Sequence, residues 1–196
     1  QLSLMPEDLE RQLSPSELAD LFAFLLLDRP PDDPQARLLP GFKTPEPRQT
    51  EDPAQFAALV AEVAPGFHTA AAGEGGVAIV AEHFGRAGVL RTHPVSREVP
   101  CVLNGRLRVP SGGTSRLAAD VSYDPRGDWR LVVQINGQPV HEQIVGPDTT
   151  TDGWATVLVD LSAYGGQTID VSLHNRANGW AWEFAYWGRV ELIHTP

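Results

Sequence analysis

The sequence predicts a mainly β protein: a two-sheet antiparallel β-sandwich, a jelly roll in topology, behind a short N-terminal helical segment. Three observations predict it. From about residue 76, apolar side chains recur at every second position, as in strands with one buried face. The stretches carrying them are short and separated by Gly-, Asn- and Pro-rich turns. No helically spaced run interrupts them, so the strands have only one another to pack against.

The alternation can be followed residue by residue. In "SRLAADVSY", Leu117, Ala119, Val121 and Tyr123 share one face. In "DWRLVVQI", Trp129, Leu131, Val133 and Ile135 do the same. Asn136-Gly137 then marks a hairpin, because both residues tolerate positive φ. "WATVLVDL" aligns Ala155, Val157, Val159 and Leu161, and "QTIDVSL" aligns Ile169, Val171 and Leu173. Trp129 and Trp154 fall on apolar faces and read as core. Further strands are expected near 77–83, 87–91, 100–109 and 180–193.

Ahead of the strands the pattern differs. Residues 1–28 read as helical. Ser14 is an N-cap, Pro15 the first helical residue and Glu17 the end of a capping box. Leu18, Leu21, Phe22 and Leu25 form a stripe on this helix of residues 15–27, which is apolar nearly all round and needs partners on several sides. Residues 29–52 are dense in proline and charge and read as an extended linker. Residues 53–75 give a helix over 53–63, opened by Asp52-Pro53, and a connection. Residues 76–196 are the sandwich.

Composition removes several function classes. A net charge of −10 over 196 residues repels phosphate backbones, so no nucleic acid is expected as partner. No run is long enough for a membrane span. The start of the chain lacks the features of a secretory signal, so the sequence reads as an internal or C-terminal part of a longer protein. Cys101 is the only cysteine, which forbids an internal disulfide and a Cys-rich zinc site. No ligand-spaced histidine pair, G-x-S-x-G elbow or dinucleotide fingerprint is present. Calcium is the metal most natural to a sandwich, with Asp124 and Asp128 as candidate ligands; solvated turn carboxylates are the other reading.

What remains is a chemistry suited to sugars. Sugars present C–H faces and hydroxyls, which proteins meet with aromatic planes and planar polar groups. The segment "NGWAWEFAYWGRVELI" and its flanks offer Trp187, Glu183, Arg189, Trp180, Asn175 and Asn178; upstream stretches add Arg91, His93 and Asp128. Counted at period two, Trp180, Trp182, Phe184, Tyr186, Val190 and Leu192 share an apolar face. The opposite face holds Ala181, Glu183, Ala185, Trp187, Arg189 and Glu191. Most of the aromatic run therefore reads as core, and Trp187 with Glu183 and Arg189 as the exposed site, joined by Trp180 if the "RANG" loop lifts it out. A bulge at Gly188 would change that assignment.

Two stretches resemble known families. "SLMPEDLERQLSPSELADLFAFLL" is similar to the closing segment of haem-binding domains of planctomycete-type c-type cytochromes. The resemblance implies that Met5 would be an axial haem ligand in a complete domain. With no C-x-x-C-H here, haem is expected only in an upstream part of the parent protein, and no cofactor in this chain. Residues 85–192, including "VPCVLNGRLRVPSG" and "GWAWEFAYWGRVEL", resemble a C-terminal β-sandwich module of the same bacteria, similar in architecture to carbohydrate-binding jelly rolls. Together these imply a non-catalytic carbohydrate-binding module, joined to an extracytoplasmic cytochrome in the periplasm or at the cell surface. The alternatives are a docking or assembly domain with no sugar ligand, and a jelly-roll hydrolase or lyase.

Overall fold

The computed structural model describes Leu21, Phe24, Leu25 and residues 48–196. The chain falls into two compact units, Gln1–Thr44 and Pro45–Pro196. In the first, Leu21, Phe24 and Leu25 are helical. The rest of the helix expected over 15–27, the candidate ligand Met5 and most of the expected linker lie outside the described residues. Among the described residues no helix is long and apolar enough to cross a membrane.

The second unit is a two-sheet antiparallel β-sandwich of jelly-roll type. Its elements run β1 (Arg48–Thr50), α1 (Pro53–Val63), β2 (Phe67–His68), β3 (Val77–His83), β4 (Arg86–Thr92), β5 (Cys101–Arg108), β6 (Thr114–Tyr123), β7 (Trp129–Ile135), β8 (Gln138–Val145), β9 (Ala155–Asp160), β10 (Thr168–Arg176) and β11 (Ala185–Thr195). Six strands form one sheet in the order β1-β3-β4-β11-β6-β9, and five form the other in the order β2-β5-β10-β7-β8. Non-consecutive neighbours such as β11 between β4 and β6 require chain crossings between sheets at both ends.

The period-two alternation builds the core. Leu117, Ala119, Val121 and Tyr123 of β6 face Trp129, Leu131, Val133 and Ile135 of β7 and Ile169, Val171 and Leu173 of β10 in one buried cluster. The β7–β8 turn uses Asn136 at φ 50° and Gly137 at φ 78°, the paired left-handed geometry a two-residue hairpin needs.

The sandwich begins at Arg48, not at residue 76. β1 pairs along β3, with Arg48 opposite Ile79 and Thr50 opposite Val77. Helix α1 is capped by Asp52, whose side chain accepts from Ala54 N at 3.0 Å. Its Phe56, Leu59, Val60 and Val63 enter the same core as the strands. A short amphipathic helix cannot stand alone in water, and this one is held by that burial.

The largest departure from the sequence reading is in β11. The strand starts at Ala185, and a bulge interrupts its pairing with β6 between Trp187 and Arg189. Ala185, Trp187, Val190 and Leu192 face the core. Phe184 and Tyr186 turn to the opposite side of the sheet, where they form a second cluster with Val89 and Trp154. Trp154 therefore packs outside the main core, its Nε1 donating to Phe84 O at 3.1 Å. A side chain at Gly188 would come within 2.9 Å of the Trp154 ring, so the bulge and the Trp154 cover fit only with glycine there.

Candidate functional site

The aromatic segment is split between strand and loop. Residues 177–184 form an irregular connection from β10 to β11. Its tryptophans, Trp180 and Trp182, are each 43% exposed, while Trp187 is fully buried. An exposed tryptophan leaves a large apolar plane in water, which is uncommon without a partner to cover it.

The loop owes its order to a chain of buried hydrogen bonds. Trp187 Nε1 donates to Thr92 Oγ1 at 3.0 Å, and Thr92 Oγ1 donates to Asn175 Oδ1 at 3.3 Å. Asn175 Nδ2 donates to Glu183 O at 3.1 Å. The Glu183 carboxylate accepts from Asn178 N at 2.8 Å and Gly179 N at 2.6 Å. Thr92, Asn175 and Glu183 are all buried, so each lost bond would strand a polar group away from water. The chain links the core to the loop tip.

A second anchor lies on the β6–β7 turn. Arg126 donates from Nε and NH2 to the two oxygens of Asp124, at 2.8 and 2.9 Å. Its guanidinium lies 3.4 Å from the centre of the Trp182 ring. Burial pushes the Asp124 carboxyl up, but the Arg126 hydrogen bonds outweigh it and leave the carboxyl below the ordinary range. A Cβ on Gly127 would come within 2.4 Å of Ala181 O, so the turn and the loop approach as closely as backbone allows. Trp182 itself sits at φ 61°, a strained value for a bulky residue that these contacts hold in place.

Beside the loop is a cleft of about 210 Å³ lined by Glu74, His93, Trp180, Ala181, Trp182 and Phe184. His93 is buried, with its ring 4.6 Å from Phe184 and 5.5 Å from Trp180. Its Nδ1 lies 2.8 Å from Pro94 O, and since a carbonyl only accepts, Nδ1 carries the proton. A larger hollow of about 420 Å³ lies against the five-stranded sheet, among His68, Asn104, Arg106, Asp170 and Ser172. It carries no tryptophan, tyrosine or phenylalanine, and its Arg106 and Asp170 face each other at 3.7 Å. The smaller cleft has the stacking surface and is the better candidate.

The residues singled out from sequence divide into groups. Trp180 and His93 line the cleft. Asn178 and Asp128 are not among its lining residues and are joined to each other by a 3.0 Å bond from Asn178 Nδ2 to Asp128 Oδ1. Three are corrected: Trp187, Glu183 and Asn175 are buried and hold the loop rather than meeting solvent. Arg189 is on the outer face of the six-stranded sheet, paired with Asp120 and Glu191, and does not line the cleft. Arg91 lies over Phe184, 5.0 Å from the ring centre, and donates to Gln49 Oε1 at 3.0 Å. Asp124, a candidate calcium ligand, has both its oxygens bonded by Arg126. Among the described residues no group of three or more His, Cys, Asp or Glu side chains is gathered as a metal site. Cys101 is buried, with its thiol pushed up to about 11 by desolvation, so it is no nucleophile.

Four cleft residues, Glu74, Ala181, Trp182 and Phe184, escape the sequence reading. Glu74 stands in the glycine-rich "GEGGVAIV", whose only sequence signal is a failed nucleotide fingerprint. The period-two count places Trp182 on the core face of a strand that begins three residues later.

No family model matches the chain. No curated protein matches it either. Solved structures do. An apo-form cyclase from Fischerella sp. is 14% identical over 80% of this chain and 91% of its own, with a TM-score of 0.50. The likeness is one of fold. A carbohydrate-binding module, CBM35, from Paenibacillus barcinonensis is 9% identical over 76% of this chain and 98% of its own, with a TM-score of 0.43. A CBM36 module solved with calcium and xylotriose is 12% identical over 53% and 79%, with a TM-score of 0.36.

Proposed function

We propose that the sandwich is a non-catalytic carbohydrate-binding module that takes a sugar ring in the cleft between His93, Trp180 and Trp182. The carrying observation is the pair of half-exposed tryptophans on a loop fastened to the core by Trp187, Thr92, Asn175 and Glu183. A rigid loop presents its aromatic planes without an ordering cost at the moment of binding. The cleft lining includes one carboxylate, Glu74, where glycoside hydrolysis by the usual route needs two. A glycan array probed with the wild-type chain, Trp180→Ala and Trp182→Ala tests the reading. Binding by the wild type that both variants lose is the expected result. No binding to any glycan by a folded chain would instead favour the docking or assembly role.

The same proposal extends to the parent protein, in which the module would follow an extracytoplasmic c-type cytochrome domain in the periplasm or at the cell surface. Its support is the similarity of "SLMPEDLERQLSPSELADLFAFLL" to the end of such domains. Haem staining of the native protein, isolated with an antibody to this chain, checks it; a haem-free native protein would contradict it.

A further inference from the structure

The proposed sugar cleft carries a charge preference, which rests on that reading of the site. Its walls are the rings of Trp180, Trp182, Phe184 and His93, with the carboxylate of Glu74 beside them. Aromatic faces are electron-rich and attract ammonium groups, and a neighbouring carboxylate adds a full negative charge. Glu74 is held there by a seated loop. Gly73 N donates to His93 O at 3.0 Å, Gly76 N donates to Gly73 O at 2.9 Å, and a Cβ on Gly73 would lie only 1.9 Å from Pro94 O.

The two nearby cations lie against cleft walls but are held by partners of their own. Arg126 is fixed by Asp124 under Trp182, and Arg91 lies over Phe184 with its NH2 on Gln49; neither lines the cleft. Glu74 has no ion-pair partner among the described residues. His93 uses its Nδ1–H on Pro94 O, which leaves Nε2 as the ring's remaining polar atom. Besides the two indole N–H groups, the lining carries one carboxylate, that of Glu74, which accepts hydrogen bonds and attracts positive charge. Such a site asks its ligand for donors and positive charge. At about 210 Å³ the cleft is smaller than the roughly 300–1,000 Å³ typical of ligand pockets, which suits one ring rather than a run of them. A net charge of −10 draws cations toward the surface as well.

We infer that the cleft selects an amine-bearing sugar: a pyranose whose ammonium group sits between Glu74 and the aromatic walls. It prefers that ligand to neutral sugars and rejects uronic acids. Calorimetric titration of the 196-residue chain compares glucosamine oligosaccharides, the same oligosaccharides N-acetylated, cello-oligosaccharides and oligogalacturonates, at a pH that keeps the amines charged. The free-amine sugar should bind about tenfold tighter than its N-acetylated form, the scale of a desolvated cation–π contact. Glu74→Gln, on an exposed loop residue, should erase that ratio. Equal affinity for amine and N-acetylated forms, or an unchanged ratio in Glu74→Gln, would overturn the inference and leave the sugar-binding reading standing. Failure to bind any of the four sugars would overturn both.

Discussion

Two neighbouring stretches of one aromatic run behave in opposite ways. Residues 185–195 form a paired strand that buries Trp187 against Trp129, with ring centres 5.2 Å apart. Residues 177–184 form an irregular loop that leaves Trp180 and Trp182 half exposed. Composition does not separate them, since both mix large aromatics with small residues and a few charges. The hydrogen bonding does. In the strand the backbone pairs with β6 and β4, and side chains alternate about the sheet. In the loop two backbone N–H groups are satisfied by the Glu183 carboxylate instead. A buried acid that receives backbone donors fixes a loop as firmly as a ladder fixes a strand, but without forcing its side chains into alternation.

The contrast can be tested by substitution. Trp187→Ala should show the strand side most strongly. It removes a fully buried ring and the indole donor to the Thr92 hydroxyl, with a loss of about 3–5 kcal/mol in denaturant unfolding. Glu183→Ala comes next, leaving the Asn178 and Gly179 N–H groups to find water. About 1–3 kcal/mol of stability should go, with hydrogen-exchange protection falling first across 177–184. An equal loss of protection across the whole sandwich would mean that Glu183 supports the core and not the loop.

Acid should act on the second anchor. Asp124 has a lowered carboxyl pKa in the folded state, so its contribution is present above the ordinary carboxylate range and is lost as pH falls through the folded value. His83 stacks on Tyr186 at 3.6 Å, and burial lowers its pKa. The unfolded chain therefore binds that proton first, and stability falls as pH drops below the usual histidine range. Thermal unfolding should show a two-stage decline on acidification. Asp124→Asn should shrink the lower stage, which Asp120, Glu62 and Asp160 share, and a profile unchanged by that substitution would separate Asp124 from loop stability. The smallest stability effect belongs to Trp180→Ala, which should move unfolding by no more than about 0.5 kcal/mol while lowering sugar affinity.

The two stretches also mark where the sequence is legible and where it is not. The alternations at 117–123, 129–135 and 169–173 predict the core directly, because period two belongs to the strand geometry itself. Helix α1 is readable from Asp52-Pro53, but its membership of the sandwich is not, since burial against distant strands leaves no local trace. The aromatic run misleads for a physical reason. One unbroken alternation from residue 180 puts Trp187 opposite Phe184 and Tyr186, as the structure does, but assigns the two sides the wrong way round. Both sides of the six-stranded sheet are partly covered, so an apolar face no longer identifies the core. The left-handed turn at Trp182 carries no sequence signal, whereas Asn178-Gly179 does mark the loop. The cleft joins Glu74, His93 and Trp180, residues far apart in the chain that only the sheet order brings together.

The most direct test of the account is a paired calorimetric titration of wild type and Trp180→Ala with a sugar that the wild type binds, alongside their melting temperatures. The account predicts binding by the wild type, at least about tenfold weaker binding by Trp180→Ala from the loss of one stacking plane, and coincident melting curves. Equal affinities in the two proteins would place sugar recognition elsewhere and contradict it.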